Sequence, residues 1–205
     1  MHISDGILST PILIGGACVA AAGVAQGLRK IEDNDIPKTA LLTAAFFVAS
    51  LVHVRIGPTS AHLILNGMAG ILLGWAAFPA LLIGLLFQAL LFGHGGISVL
   101  GVNTVAIAVP AVGAGLMFRR MVHRETSPRR IALMAGLGAG LCIAATALFS
   151  AAVLALSGRA WLRTAWILLV AHVFVMAGEA VLAYFIAAYL LRVRPALLLG
   201  RPLAA

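Results

Sequence analysis

Six histidines carry most of the metal-binding nitrogen in this chain, and one of them stands at position 2. A free N-terminal amine has an ordinary pKa of about 7.7–8.0, low enough to lose its proton when a metal ion competes for the lone pair. The Met1 amine, the backbone amide nitrogen of His2 and its imidazole Nδ1 can bind one ion together. Amine and amide close a five-membered chelate ring, amide and imidazole a six-membered one, and the three nitrogens lie nearly in a plane. One more nitrogen completes a square, which favours Ni(II) or Cu(II), whereas Zn(II) prefers a tetrahedron. Displacing the amide proton also demands a strongly Lewis-acidic ion of that kind. Met1 to Gly6 contain one acid, Asp5, and no Lys or Arg. The stretch therefore lacks the basic region of a cleavable signal, and the chain is expected to start at Met1. The bulky His2 side chain is expected to hinder removal of that methionine and leave its amine free. The competing reading is an unstructured terminus; the attachment of Asp5-Gly6 to an apolar segment weighs against it.

The elements that must hold these groups are apolar. Of 205 residues, 62% are hydrophobic and 10% charged, and the mean hydropathy is +1.10. So little charge cannot cover a water-soluble particle of this size, and disorder is excluded because disordered chains are poor in apolar residues. A polytopic membrane protein remains. Seven apolar segments run over about 7–28, 39–54, 60–75, 77–92, 97–118, 131–156 and 161–191. The fold class is expected to be an all-α membrane protein of seven transmembrane helices. A span takes roughly 20 residues, so the whole chain 1–205 is one polytopic domain. Residues 1–6 form a metal-binding segment, 7–192 the helices and 193–205 a cytoplasmic tail. Segments two and three are short for full spans.

The net charge of +8 is placed by the same topology, with no nucleic-acid partner implied. With the N-terminus outside, the inner side receives Arg29, Lys30, Lys38, Arg119, Arg120, Arg124, Arg129, Arg130, Arg192, Arg194 and Arg201, and the outer side only Arg55, Arg159 and Arg163. This bias favours an outer N-terminus, inserted toward the bundle core, and a cytoplasmic C-terminus. His2, His53, His62 and His94 then share the outer rim, a metal-site pattern for ions that suit imidazole. His123 falls in the basic cytoplasmic loop and His172 inside segment seven. The null for each rim histidine is a loop residue bonded to nearby backbone. Cys18 and Cys142 lie in apolar runs and imply no disulfide. Small residues four apart, as at Ala17/Ala21/Ala25 and Gly136/Gly140, are expected to pack helices internally, with a docking face for another subunit as the alternative at Ala17/Ala21/Ala25.

Four stretches carry a family resemblance: Met1-His2-Ile3-Ser4-Asp5-Gly6-Ile7-Leu8; Gly57-Pro58-Thr59-Ser60-Ala61-His62-Leu63-Ile64-Leu65-Asn66-Gly67; Gln88 to Gly96 with Leu100-Gly101-Val102-Asn103-Thr104; and His172 and Glu179 followed by Arg192-Val193-Arg194-Pro195. Over essentially its whole length the chain resembles the NikM/CbiM family, the substrate-binding membrane subunits of energy-coupling-factor (ECF) nickel and cobalt transporters. Position 4 is Ser where family members commonly have Pro, which removes no ligand. The resemblance implies a seven-helix subunit whose N-terminal stretch folds into the bundle. It assigns the Met1 amine, the His2 amide and imidazole, and the His62 imidazole as four nitrogen donors. Residues 60–67 resemble the nickel branch, so Ni(II) is the expected transported substrate, Co(II) the alternative, with no organic cofactor.

The other polar residues divide as follows. Asn66, four residues after His62 and on the same helix face, is expected either to orient His62 or to cap or bridge helices. His53 and His94 are expected either to support the ligands from behind or to hold the ion transiently on its entry path. Asn103 is a hydrogen-bonding partner for the N-terminal segment. His172 and Glu179, seven apart on one helix face, are expected to form a buried structural pair, with a transport role as the alternative. The chain has no G-x-x-x-x-G-K-[ST] phosphate loop. ATP hydrolysis is expected from partner ATPase chains alongside a transmembrane coupling (T) subunit and a small accessory membrane subunit. An intramembrane metalloenzyme or hydrolase is the distant alternative. It lacks G-x-S-x-G and H-E-x-x-H, and Ser60 and His62 would diverge on a helix. A purely structural subunit leaves the outer histidines unexplained.

Overall fold

The structure, a computed structural model, describes residues 2–51, 53–56, 59–123 and 125–199. An extended and turning N-terminal segment leads into α1 (Thr10–Leu28), which has a proline in its first turn, where a missing N–H costs nothing. The polar run after Arg29-Lys30 gives way to α2 (Ile36–Ala49), again with proline in the first turn. Two short antiparallel strands follow, β1 (His53–Ile56) and β2 (Thr59–His62). Next comes α3 (Asn66–Leu73), and a single turn at Gly74–Ala76 redirects the chain into α4 (Ala77–Phe92). Then follow α5 (Leu100–Met121), α6 (Pro128–Leu156), α7 (Leu162–Val193) and the short α8 (Pro195–Leu199).

Helix α5 lies at the centre and packs against α1, α3, α4 and α6, while α7 lies along α6. The α3–α5 crossing is close because neither backbone carries a side chain there. A Cβ on Gly70 would meet the backbone of Ala111, and one on Gly115 would meet that of Gly70. Small residues at such crossings let membrane helices gain dispersion contacts without a hydrophobic driving force. The outward surface is apolar, with Phe174 and Leu156 each 79% exposed. Large apolar residues over a whole surface would aggregate in water, and acyl chains solvate them. Among the described residues, five stretches are long and apolar enough to span a bilayer: Thr10–Leu28, Asn66–Phe92, Leu100–Met121, Pro128–Leu156 and Arg159–Val193.

Two sequence expectations change. The third apolar segment, 60–75, is not one helix, although the fold is all-helical apart from one short hairpin. The segment begins as β2, and only Asn66–Leu73 is helical, about 12 Å at 1.5 Å per residue. Pro58 lacks an N–H, and the β-branched Val54, Ile56 and Thr59 suit extended backbone, so the hairpin wins over helix. As expected of a segment short for a full span, helix α2, with 14 residues, reaches about 21 Å against a roughly 30 Å hydrocarbon core. Ala17, Ala21 and Ala25 are exposed; the inward stripe of α1 is Ala20, Gly23 and Gly27. The second small-residue pair does pack inward, with Gly136 and Gly140 against Ala180 of α7.

Candidate metal centre

The N-terminal segment is held inside the bundle by two polar clamps. The Ile3 N–H donates to Asn103 Oδ1 at 3.0 Å, and Asn103 Nδ2 donates to the Ile3 carbonyl at 3.0 Å, so one amide side chain satisfies both backbone groups of Ile3. Ile3 itself is buried. The second clamp is Asp5. Its N–H donates to the Gly95 carbonyl at 3.1 Å, and its Oδ1 accepts from the Ser98 hydroxyl and, at 3.3 Å, from the Val99 N–H. Val99 caps the N-terminus of α5, where the helix dipole favours a carboxylate. The chain passes this point only because Gly95 and Gly96 have φ of +77° and +141° and no side chains. A Cβ on Gly96 would collide with the Asp5 carboxylate.

The clamps bury His2 beside His62, at 3% and 4% exposure. Their Nε2 atoms lie 3.1 Å apart and their ring centroids 4.9 Å apart. The tautomers follow from the partners. His62 Nδ1 lies 2.7 Å from the Leu63 carbonyl, which can only accept, so His62 carries its proton on Nδ1 and a lone pair on Nε2. The proton between the two rings then belongs to His2 Nε2, and His2 Nδ1 is left with a bare lone pair. That atom is buried without a hydrogen-bond partner among the described residues. Burial pushes both imidazoles well below their ordinary pKa, which keeps them in the neutral, ligating form.

The other two rim histidines complete a chain of rings. His94 stacks on His2 at 6.1 Å between centroids, and His53 meets His94 edge-on at 4.2 Å. The hairpin register pairs His53 directly with His62, so the strands that replaced a helix are what bring these two together. His53, His62, His94, His2 and Asn103 thus converge on one end of the bundle. Met1 lies outside the described residues. Among the described residues, no three His, Cys, Asp or Glu side chains are grouped to hold a metal ion.

Asn66 does not contact His62. Because His62 is on β2 and Asn66 begins α3, the two share no helix face; Asn66 Nδ2 bridges the Ile107 carbonyl and Thr146 Oγ1, each at 3.0 Å. His172 and Glu179 are buried on α7 but are not bonded to each other, since seven residues of helix separate them by about 10.5 Å along the axis. His172 Nδ1 bonds back to the Leu168 carbonyl at 2.7 Å, and Glu179 Oε1 accepts from the N–H groups of Ile64 and Leu65. Ser60 and His62 both belong to β2 and not to a helix. His62 is instead committed to Leu63 and His2. Ser98 is a contributor that sequence spacing missed, and Glu179, expected beside His172, has its partners at Ile64 and Leu65. Each acts across about a hundred residues, and no local pattern marks it.

A family profile described as "Cobalt uptake substrate-specific transmembrane region" matches residues 2–197. A Haemophilus influenzae protein named as a metal transport protein is 46% identical over 185 residues, spanning 89% of each chain. The fused nickel transport protein NikMN of Rhodobacter capsulatus is 38% identical over 162 residues, which cover 74% of this chain and 46% of that longer protein. A crystal structure of a transition metal transporter superposes with a TM-score of 0.81 at 26% identity, covering 94% of this chain and 93% of the other.

Proposed function

Because the chain belongs to the cobalt uptake substrate-specific transmembrane family, we propose that it captures Ni(II) at the outer face of the membrane in a planar site of four nitrogens. The coarser statement needs no proposal: it is a multi-pass membrane protein and the substrate-specific membrane component of nickel or cobalt transport. The donors of the proposed site are the Met1 amine, the His2 amide nitrogen, His2 Nδ1 and His62 Nε2. The observation that carries it is the buried His2, whose Nδ1 lone pair has no hydrogen-bond partner among the described residues and whose ring abuts His62. Chelation through Nδ1 needs the tautomer that the His62–Leu63 bond imposes. Binding exchanges the His2–His62 hydrogen bond for bonds from His2 Nδ1 and His62 Nε2 to the ion, so the His2 ring must turn away from His62. His53 and His94 continue the row of imidazoles outward and suit an entry path.

Cobalt remains the second reading, favoured by the family description itself; nickel rests on residues 60–67 and on the preference of planar nitrogen sets. Seven membrane-crossing segments, with the N-terminus outside and the C-terminus inside, follow from the distribution of Lys and Arg. ATP hydrolysis belongs to partner ATPases, coupled through a T subunit, with a small accessory membrane subunit as a further partner. The test is a metal titration of purified protein with an unextended N-terminus, Ni(II) and Co(II) in separate and competing runs. His2→Ala and His62→Ala should each abolish tight binding while the protein still inserts and folds. Wild-type affinity in either variant would refute the donor set, and preference for Co(II) would replace nickel by cobalt.

A further inference from the structure

We infer that Glu179 is a positioning residue for His62, acting through the single peptide group that joins Leu63 to Ile64. The inference rests on the reading of His62 as a metal ligand. The carbonyl of that peptide accepts the His62 Nδ1 proton at 2.7 Å, and its N–H donates to Glu179 Oε1. The next amide, that of Leu65, donates to the same oxygen at 2.7 Å. Leu65 has φ of +56°, the one positive φ outside glycine among the described residues. Successive amides beside a left-handed residue form a concavity that favours an anion, and the fully buried Glu179 fills it.

The consequence for the metal is electronic and geometric. A carboxylate on the N–H side of a peptide polarises its carbonyl, and hydrogen bonds in series strengthen one another. The stronger acceptor holds the Nδ1 proton, fixes the ring and leaves Nε2 the more basic nitrogen. Carboxylates do this directly for many metal-bound histidines; here the effect passes through one amide. It also explains the burial of an acid within a membrane-length helix. Glu179 Oε2 has no hydrogen-bond partner among the described residues, so the Ile64 and Leu65 amides are the groups that hold the carboxylate.

Glu179→Gln separates this role from a simple staple between α7 and the strand exit, because Gln keeps an accepting oxygen and loses the charge. Untagged Glu179→Gln should bind Ni(II) about tenfold more weakly with an unchanged melting temperature, and Glu179→Ala up to about a hundredfold more weakly, the range for losing such a support. In metal-free wild type, the 15N spectrum should place the His62 proton on Nδ1; in Glu179→Gln it should become shared between both ring nitrogens. Glu179→Gln with wild-type affinity and a wild-type His62 signal overturns the inference, even if His62→Ala abolishes binding and the site itself stands. A Gln variant that fails to fold makes Glu179 a staple and overturns it too. His62→Ala with unchanged affinity removes both the inference and the ligand assignment beneath it.

Discussion

His2 and His62 share one proton across 3.1 Å, and under the proposed function an ion bound by both rings displaces that contact. The chelating potential of a second-position histidine was legible in the sequence, because it depends only on covalent connectivity. The tautomers were not, because they are set by Leu63, whose carbonyl direction is a property of the fold. Their consequence is a pH dependence. Burial holds both imidazoles below their ordinary pKa, so they bring no protons to be displaced near neutrality. The amine, protonated below about pH 7.7, and the amide each release one. The logarithm of the apparent Ni(II) association constant should therefore rise by about two per pH unit between about pH 6.5 and 7.5. It should not steepen just below 6.5, where ordinary imidazoles would begin to protonate. A pH-independent affinity across this range would mean that only neutral imidazoles hold the ion.

The turn between α4 and α5 does for the site what no side chain alone can. Gly95 and Gly96 adopt positive φ and let Asp5 reach Ser98 and the start of α5. Gly96→Ala adds a Cβ where the Asp5 carboxylate sits and forces a backbone conformation that costs about 1–3 kcal/mol for a residue other than glycine. It should lower the melting temperature and weaken Ni(II) binding by releasing the N-terminal segment. Gly138→Ala in α6, where a Cβ meets nothing within 4 Å, should leave both nearly unchanged. Equal effects from the two would show that Asp5 does not depend on this turn. Helices α1, α4, α5, α6 and α7 were legible because hydropathy and the Gly, Pro and Arg breaks between runs agree. The hairpin and the short α3 were not, because residues 63–73 read as one apolar run and hide the left-handed Leu65. The error at that point carried over to Asn66, whose partners Ile107 and Thr146 lie on helices remote in sequence.

At the scale of the whole molecule, the composition that excluded a soluble protein also describes the observed surface. The outward faces of α1 and α7 are apolar, and His2, His62 and Asn103 are buried where the N-terminal segment enters. Polar groups withdrawn from water into a bundle are costly unless paired, so the clamps at Asn103 and Asp5 do more than tether a loop. They let the first residues of the chain occupy the interior. The bundle is thus built around its own beginning. The most direct measurement compares Ni(II) titration of the untagged chain with that of the same chain extended by one residue before Met1. The extension turns the amine into an amide and leaves every helix intact. Loss of tight binding, with an unchanged melting temperature of the metal-free protein, is the predicted result. An unchanged dissociation constant would contradict it and leave the ion to the imidazoles alone.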